Sequence, residues 1–207
     1  MSRNKKLLKD IAYEKIREKI LKEDDDYTSE NLLVEELKMS RTPIREALKR
    51  LEHEGFIKIF PNQGISIPDL SIKEMNDIMD YRIAIETASL KQAIGLLTPD
   101  DFETLDQFIQ KQKEAYQQND PLRYLHYDVE FHLYLIKVVG NPLFIQAIDH
   151  VCHRLYRIHR RMKSNPKLLY TRLLEHVRII EMLRGRQIDF AVKQLEDHLN
   201  GGKSYIF

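Results

Sequence analysis

Twelve consecutive residues, Ser40-Arg41-Thr42-Pro43-Ile44-Arg45-Glu46-Ala47-Leu48-Lys49-Arg50-Leu51, divide themselves between two faces of a helix. Ile44, Ala47, Leu48 and Leu51 form an apolar stripe, the spacing of a helix that packs against neighbours. Arg41, Arg45 and Lys49 recur at i, i+4 and i+8 on another face. From Lys38 to Arg50 five basic residues meet one acid, so the local field is positive. Ser40 or Thr42 can cap this helix, and Pro43 is tolerated in its first turn.

Just beyond it the period changes. Phe56 to Phe60, the turn Pro61-Asn62-Gln63-Gly64, and Ile65 to Ile67 read as two short strands joined by a hairpin. Upstream, residues 8–21 read as a first helix and Ser29 to Leu37 as a second; Arg41 to Glu54 is the third. The acidic run Glu23-Asp24-Asp25-Asp26 is expected as a solvated loop, and Pro68-Asp69 as a linker. Helices followed by a hairpin are the winged helix-turn-helix layout, which lays a helix in the major groove of DNA.

From Ser71 onward no strand signal recurs. Six helices are expected, at about 72–97, 98–118, 120–139, 142–163, 165–184 and 186–203, broken by Thr98-Pro99, Asn119-Asp120-Pro121, Gly140-Asn141-Pro142, Asn165-Pro166 and Gly185. The fold class is therefore mostly α. A DNA-binding winged head with a small β-hairpin wing takes residues 1–70, and an all-α six-helix bundle takes residues 71–207.

Overall charge does not argue for nucleic acid. The chain's net charge is +1, and residues 1–70 carry 14 Lys/Arg against 14 Asp/Glu, so any basic surface is local. Cys152 is the single cysteine, which excludes an intramolecular disulfide and suits a reducing cytoplasm. No apolar run of signal-peptide length follows the basic stretch Met1 to Lys9, and none nears the ~20 residues that span a bilayer. A cytoplasmic protein without membrane contact is expected.

In the bundle, polar residues fall where apolar ones are expected. Leu125, Leu135, Ile136 and Val139 mark one stripe, and Asp128 and His132 lie on it. Leu169, Leu173, Ile180 and Leu183 mark another that includes His176, and Ile188, Ala191, Val192, Leu195 and Leu199 a third that includes His198. Each alone could be a core group with its own hydrogen bond. Together they are one carboxylate and three imidazoles aimed at a common interior, where unpaired burial is costly and a divalent ion would satisfy all four. His53, His126, His150, His153 and His159 read as surface residues.

Two sets of residues carry a family resemblance. Ser40 to Leu48, then Leu51-Glu52, Glu54-Gly55-Phe56 and Gly64, resemble the GntR family of regulators. Arg82 and Glu86, Asp128-Val129-Glu130-Phe131-His132, Gly140-Asn141-Pro142, Glu175-His176 and His198-Leu199 resemble its FCD effector-binding domain, in the shorter, VanR-like form of that FadR-like group. The resemblance implies that Arg41, Thr42 and Arg45 touch bases and phosphates, with Ser40, Lys49 and Asn31 nearby, and that Gly64 lets the wing approach the minor groove. It implies that Asp128, His132, His176 and His198 ligate zinc, nickel or manganese. A small organic acid would then fill the open positions, with Arg82 as its clamp unless Arg82 only pairs with Glu86; Tyr81 and Asn141 are further candidates.

Three departures from the family pattern bear on the operator. Asn31 stands where an arginine is usual, Lys38 where the helix-helix turn usually has glycine, and the acidic loop replaces a Gly and Pro-Gly. The implied function is a homodimeric repressor of a near-palindromic double-stranded operator, controlled by a metal-held organic acid. The alternatives are a metal-dependent enzyme acting on a small carboxylate, and a regulator that senses the metal itself.

Overall fold

The structure, a computed structural model, describes residues 7–22, 26–61, 63–68, 71–148, 151 and 165–204. The chain divides into two compact units, Met1–Asp69 and Leu70–Phe207.

The first unit is built on α1 (Leu8–Lys22), α2 (Glu30–Leu37) and α3 (Arg41–His53). Ala12, Tyr13, Ile16 and Ile20 of α1 and Leu33 of α2 enclose the apolar stripe of α3, Ile44, Ala47, Leu48 and Leu51. Phe56, Ile57, Ile65 and Ile67 close the same core from the sheet side. Ser29 caps α2 by accepting from the Leu32 amide at 3.2 Å. Lys38 ends α2 at φ 51°, the left-handed region where a side chain costs about 1–2 kcal/mol and glycine little. The expected turn glycine is thus replaced by a residue that adopts glycine's conformation under strain. Gly55, at φ 77°, ends α3 and allows the Phe56 amide to reach the Leu51 carbonyl at 2.9 Å.

The wing has three strands where the sequence predicts two. β1 (Tyr27–Thr28), β2 (Lys58–Phe60) and β3 (Gly64–Ser66) form an antiparallel sheet in the order β1-β3-β2. Ile59 faces Ile65 across the hairpin, and Thr28 faces Ile65 on the other edge. β1 follows the acidic run; residues 23–25 of that run, turn residue 62 and Asp69 of the expected linker lie outside the described residues.

The second unit is helical: α4 (Ile72–Ala93), α5 (Pro99–Gln117), α6 (Pro121–Val139), α7 (142–148), α8 (Pro166–Arg184) and α9 (Ile188–Ser204). Each break doubles as a helix start. Thr98, Asp120, Asn141 and Asn165 accept from main-chain amides of the first turn, and a proline follows each one. Proline at that position gives up an amide that has no partner in any case. Ser71 and Glu74 form a reciprocal capping box on α4. α4 ends at Ala93 rather than 97, because the chain turns at Leu96 before the cap of α5, and α9 starts at Ile188 after Arg186 takes φ 55°. Of the expected helix 142–163, residues 149–150 and 152–163 lie outside the described residues, and with them Cys152, His150, His153 and His159.

Candidate metal centre and nucleic-acid interface

Helix α3 carries its two faces as expected. Ile44, Ala47, Leu48 and Leu51 are buried, while Ser40, Arg41, Thr42, Arg45 and Lys49 are exposed. An open groove runs between α3, the start of α2 and the hairpin, bringing Asn31, Arg41, Arg45, Lys49 and Gly64 to shared walls. Ser40 starts α3 but makes no side-chain cap, which leaves its hydroxyl exposed. Gly64 also has a reason inside the fold: at φ 113°, a Cβ there would stand 3.2 Å from the Thr28 carbonyl oxygen. Sequence reasoning overlooked Glu30. Its carboxylate accepts from Arg45 Nε at 2.8 Å and lies 3.6 Å from Arg41 Nη1, so it joins both arginines on the groove wall.

In the helical unit α6 supplies Asp128 and His132, α8 supplies His176, and α9 supplies His198. All four are buried, and one ligand atom from each lies within 4.8 Å of every other. The three Nε2 atoms form a near-equilateral triangle, with sides of 3.2 Å (His132–His176), 3.1 Å (His176–His198) and 3.2 Å (His132–His198). Asp128 Oδ1 is 3.7 Å from His176 Nε2.

The opposite ring nitrogens decide what those atoms carry. His132 Nδ1 lies 2.7 Å from Glu86 Oε2, His198 Nδ1 2.7 Å from Glu175 Oε2, and His176 Nδ1 3.1 Å from Gln112 Oε1. The Gln112 amide nitrogen donates to Asp128 Oδ1 at 3.3 Å, which leaves its oxygen to face His176. Each Nδ1 therefore meets an acceptor and holds the ring proton, so three Nε2 lone pairs converge on one point. Burial pushes the His176 imidazole down to about 3 and His198 well below the usual range, so converging protons do not relieve this clash. A cation does. Two nitrogens each about 2.0–2.1 Å from a shared ion stand roughly 2.9–3.4 Å apart, which brackets the triangle's sides. The donor set and its carboxylate backing fit a divalent metal ion.

Beside this group two arginines are buried. Arg82 Nε donates to Glu86 Oε1 at 2.6 Å, so one carboxylate spans Arg82 and His132. The Arg82 guanidinium and His132 hold the Glu86 carboxyl down at about 2, against the opposing effect of its burial. Arg172 Nη1 donates to Glu175 at 3.2 Å and to the His198 carbonyl, repeating the arginine–glutamate–histidine arrangement on α8 and α9. Both arginines line a cavity of about 20 Å³, together with Asp128, Tyr124 and His198, with room for about one water.

The comparisons with known proteins follow this division. The bacterial regulatory protein family gntR matches residues 8–67, and the FCD domain family matches residues 77–201. This chain belongs to the GntR family, in its FCD-domain branch. Its GntR head and FCD domain make it a DNA-binding transcription regulator, and its relatives are regulators rather than enzymes. The Nta operon transcriptional regulator of Aminobacter aminovorans is 27% identical over 172 residues, spanning 81% of this chain and 80% of that protein. The HTH-type transcriptional repressor NanR of Enterobacter sp. (strain 638) is 25% identical over 224 residues, 95% of this chain and 84% of that one. In fold, E. coli McbR/YncC superposes with a TM-score of 0.85 at 19% identity, covering 97% of both chains.

Within the FCD domain, the predicted quartet comes together and Arg82 lines the adjoining cavity. Tyr81 is 39% exposed and is absent from the cavity wall. The Asn141 side chain accepts from the Leu143 amide at 3.0 Å and caps α7. Gln112 and Arg172 were missed. Gln112 is fully buried on a face of α5 that also buries Leu105 and Ala115, the same signal that exposes His132. Among the described residues, no helix is long and apolar enough to cross a membrane.

Proposed function

We propose that this GntR regulator is a homodimeric repressor of a near-palindromic operator, released by a small organic acid held at a divalent metal ion in its FCD domain. The observation that carries it is the convergence of three Nε2 atoms and Asp128, each imidazole facing an acceptor on its other nitrogen. Residues 1–70 read DNA, and residues 71–207 bind the effector and pair the chains. In the head, Arg41, Thr42 and Arg45 contact bases and phosphates, and Ser40, Lys49 and Asn31 add backbone contacts. Gly64 keeps the wing slim enough to reach the minor groove.

In the FCD domain, Asp128, His132, His176 and His198 hold the ion, whether zinc, nickel or manganese. When bound, the ion supplies a Lewis-acidic vertex for a carboxylate oxygen. Arg82 positions that carboxylate through Nη2, a buried donor that has no hydrogen-bond partner in the protein. Glu86 and Glu175 keep the ring protons of His132 and His198 on Nδ1. An acid that binds two conformations of the regulator unequally shifts its DNA affinity by that difference and no more.

A second reading makes the ion itself the signal, because the cavity beside it has room for only about one water. One experiment separates the two. Operator affinity is measured by fluorescence anisotropy for metal-free protein, metal-loaded protein, and metal-loaded protein with a panel of organic acids. The first reading expects the acid, on top of the metal, to weaken operator binding. A response to metal alone supports the second, and affinity that ignores both overturns each of them.

A further inference from the structure

The groove of the head is lined by three cations, Arg41, Arg45 and Lys49, and Glu30 is the one carboxylate among the described residues of its walls. That carboxylate is anchored. Glu30 is the first residue of α2, directly after the Ser29 cap, where the helix dipole favours a negative charge. Its Oε2 accepts from Arg45 Nε at 2.8 Å. Its Oε1 is sealed from solvent without a hydrogen-bond partner and stands 3.6 Å from Arg41 Nη1. The carboxylate is thus seated in the groove wall against both guanidiniums, whose side chains stay largely exposed.

We infer that Glu30 is a specificity-determining residue of the DNA-binding face: it holds Arg45 ready for a guanine and makes a phosphate a poor exchange at both arginines. This rests on the reading that Arg41 and Arg45 contact DNA. The bond to Glu30 uses Arg45 Nε, so the two terminal nitrogens remain for the O6 and N7 acceptors of one guanine. Guanine is neutral. It adds its hydrogen bonds without evicting the carboxylate, and it meets a guanidinium that is already oriented. A phosphate brings a second negative charge to a wall that already holds one. Either the two anions repel, or the phosphate replaces Glu30 and leaves a part-buried carboxylate without its partners. Any duplex offers phosphates in every register, whereas the right guanine is rare, so the penalty falls mainly on non-specific binding.

The test is fluorescence anisotropy of the full chain on two duplexes, one recovered by wild-type protein from a randomised pool and one a scramble of the same composition. Glu30→Gln keeps the shape of the side chain and removes its charge. It is expected to bind the scrambled duplex about three- to fivefold more tightly, the scale of an exposed ion pair, without a matching gain on the recovered duplex. The specificity ratio therefore falls, and the salt slope on the scrambled duplex steepens by about 0.9, the value of one added phosphate contact. Glu46→Gln removes the same charge from an exposed position of α3 outside the groove walls and is expected to leave the ratio unchanged. A wild-type ratio in Glu30→Gln, an equal loss of affinity for both duplexes, or the same fall in ratio in Glu46→Gln overturns the inference and leaves the DNA-contact reading standing. Arg45→Ala protein that binds both duplexes as wild type does overturns that reading as well.

Discussion

In the GntR head, Arg41 and Arg45 keep 61% and 60% of their side-chain surface exposed while sharing the Glu30 carboxylate; in the FCD domain, Arg82 and Glu86 keep 3% each. Both arrangements pair arginine with glutamate, and they do opposite work. The arginines of the exposed pair are solvated while Glu30 keeps 26% of its side-chain surface, and a pair with so much solvent access contributes only about 0–1 kcal/mol, so exchanging its carboxylate for another anion costs the arginines little. The buried pair has no such exchange open to it. Breaking a pair of that kind costs about 3–5 kcal/mol, because one charge is left in the interior without a partner. Its rigidity serves to orient His132, whereas the head's looseness leaves its arginines available. Among the described residues, the buried charged side chains, Arg82, Glu86, Asp128 and Arg172, all lie in the FCD domain.

This contrast is most sharply broken at His176. The residue is fully buried, sits within 3.1–3.2 Å of both other imidazoles and stacks on Phe131 at a ring-centroid distance of 4.2 Å. His176→Ala is expected to weaken metal binding by more than about 100-fold in a chelator competition assay, since even outer partners of metal ligands are worth about 10–100-fold. Operator binding by the metal-free protein is expected to stay within about twofold of wild type. A parallel loss of both would mean that the two regions are not energetically separate.

A pH titration of thermal stability probes the same difference. His176 is held near 3 in the folded protein, below its ordinary value of 6.5, so the unfolded chain binds the proton first. Stability of the metal-free protein is therefore expected to fall progressively as pH drops from about 6.5 toward 3. The carboxylate of Glu86, lowered from 4.5 to about 2, contributes stability above 4.5 that is lost as pH falls toward 2. Bound metal adds stability but keeps the proton off folded His176, so the fall below pH 6.5 is expected to persist from a higher starting stability. A flat profile between pH 6.5 and 4, measured by calorimetry on chelator-treated protein, would contradict the buried neutral imidazole.

On the head's side, Arg45→Ala is expected to cost about 1–3 kcal/mol in operator affinity if Arg45 reads a base. If it contacts only phosphate, the salt slope drops by about one instead. Metal affinity should not change in either case. The smallest effect is at Lys38, whose φ of 51° makes Lys38→Gly worth about 0.5–1 kcal/mol of added stability by denaturant titration.

Much of this was legible because it depends on local rules. The cap–proline starts at Thr98, Asp120 and Asn165 mark helices from sequence alone, and a charged or imidazole side chain on an apolar stripe marks the candidate metal group. Gln112 gave the same signal and escaped notice, because an amide is a less conspicuous ligand partner than a histidine. The glutamates were harder. Glu86 meets His132 across 46 residues and Glu175 meets His198 across 23, and no periodicity tells which acid backs which ring. β1 is two residues long, too short for an alternating pattern, and its pairing with β3 joins Tyr27 to Ser66. Non-local pairing of that kind is decided by packing, not by neighbours in the chain.

The most direct test of the metal centre is the divalent metal content of the full chain, read by native mass spectrometry after loading with zinc, nickel or manganese. The structure predicts one tightly held ion per chain in wild type, and none retained through desalting in His176→Ala. Wild-type protein that stays folded yet retains no divalent ion would contradict the account, because three Nε2 lone pairs would then converge on nothing.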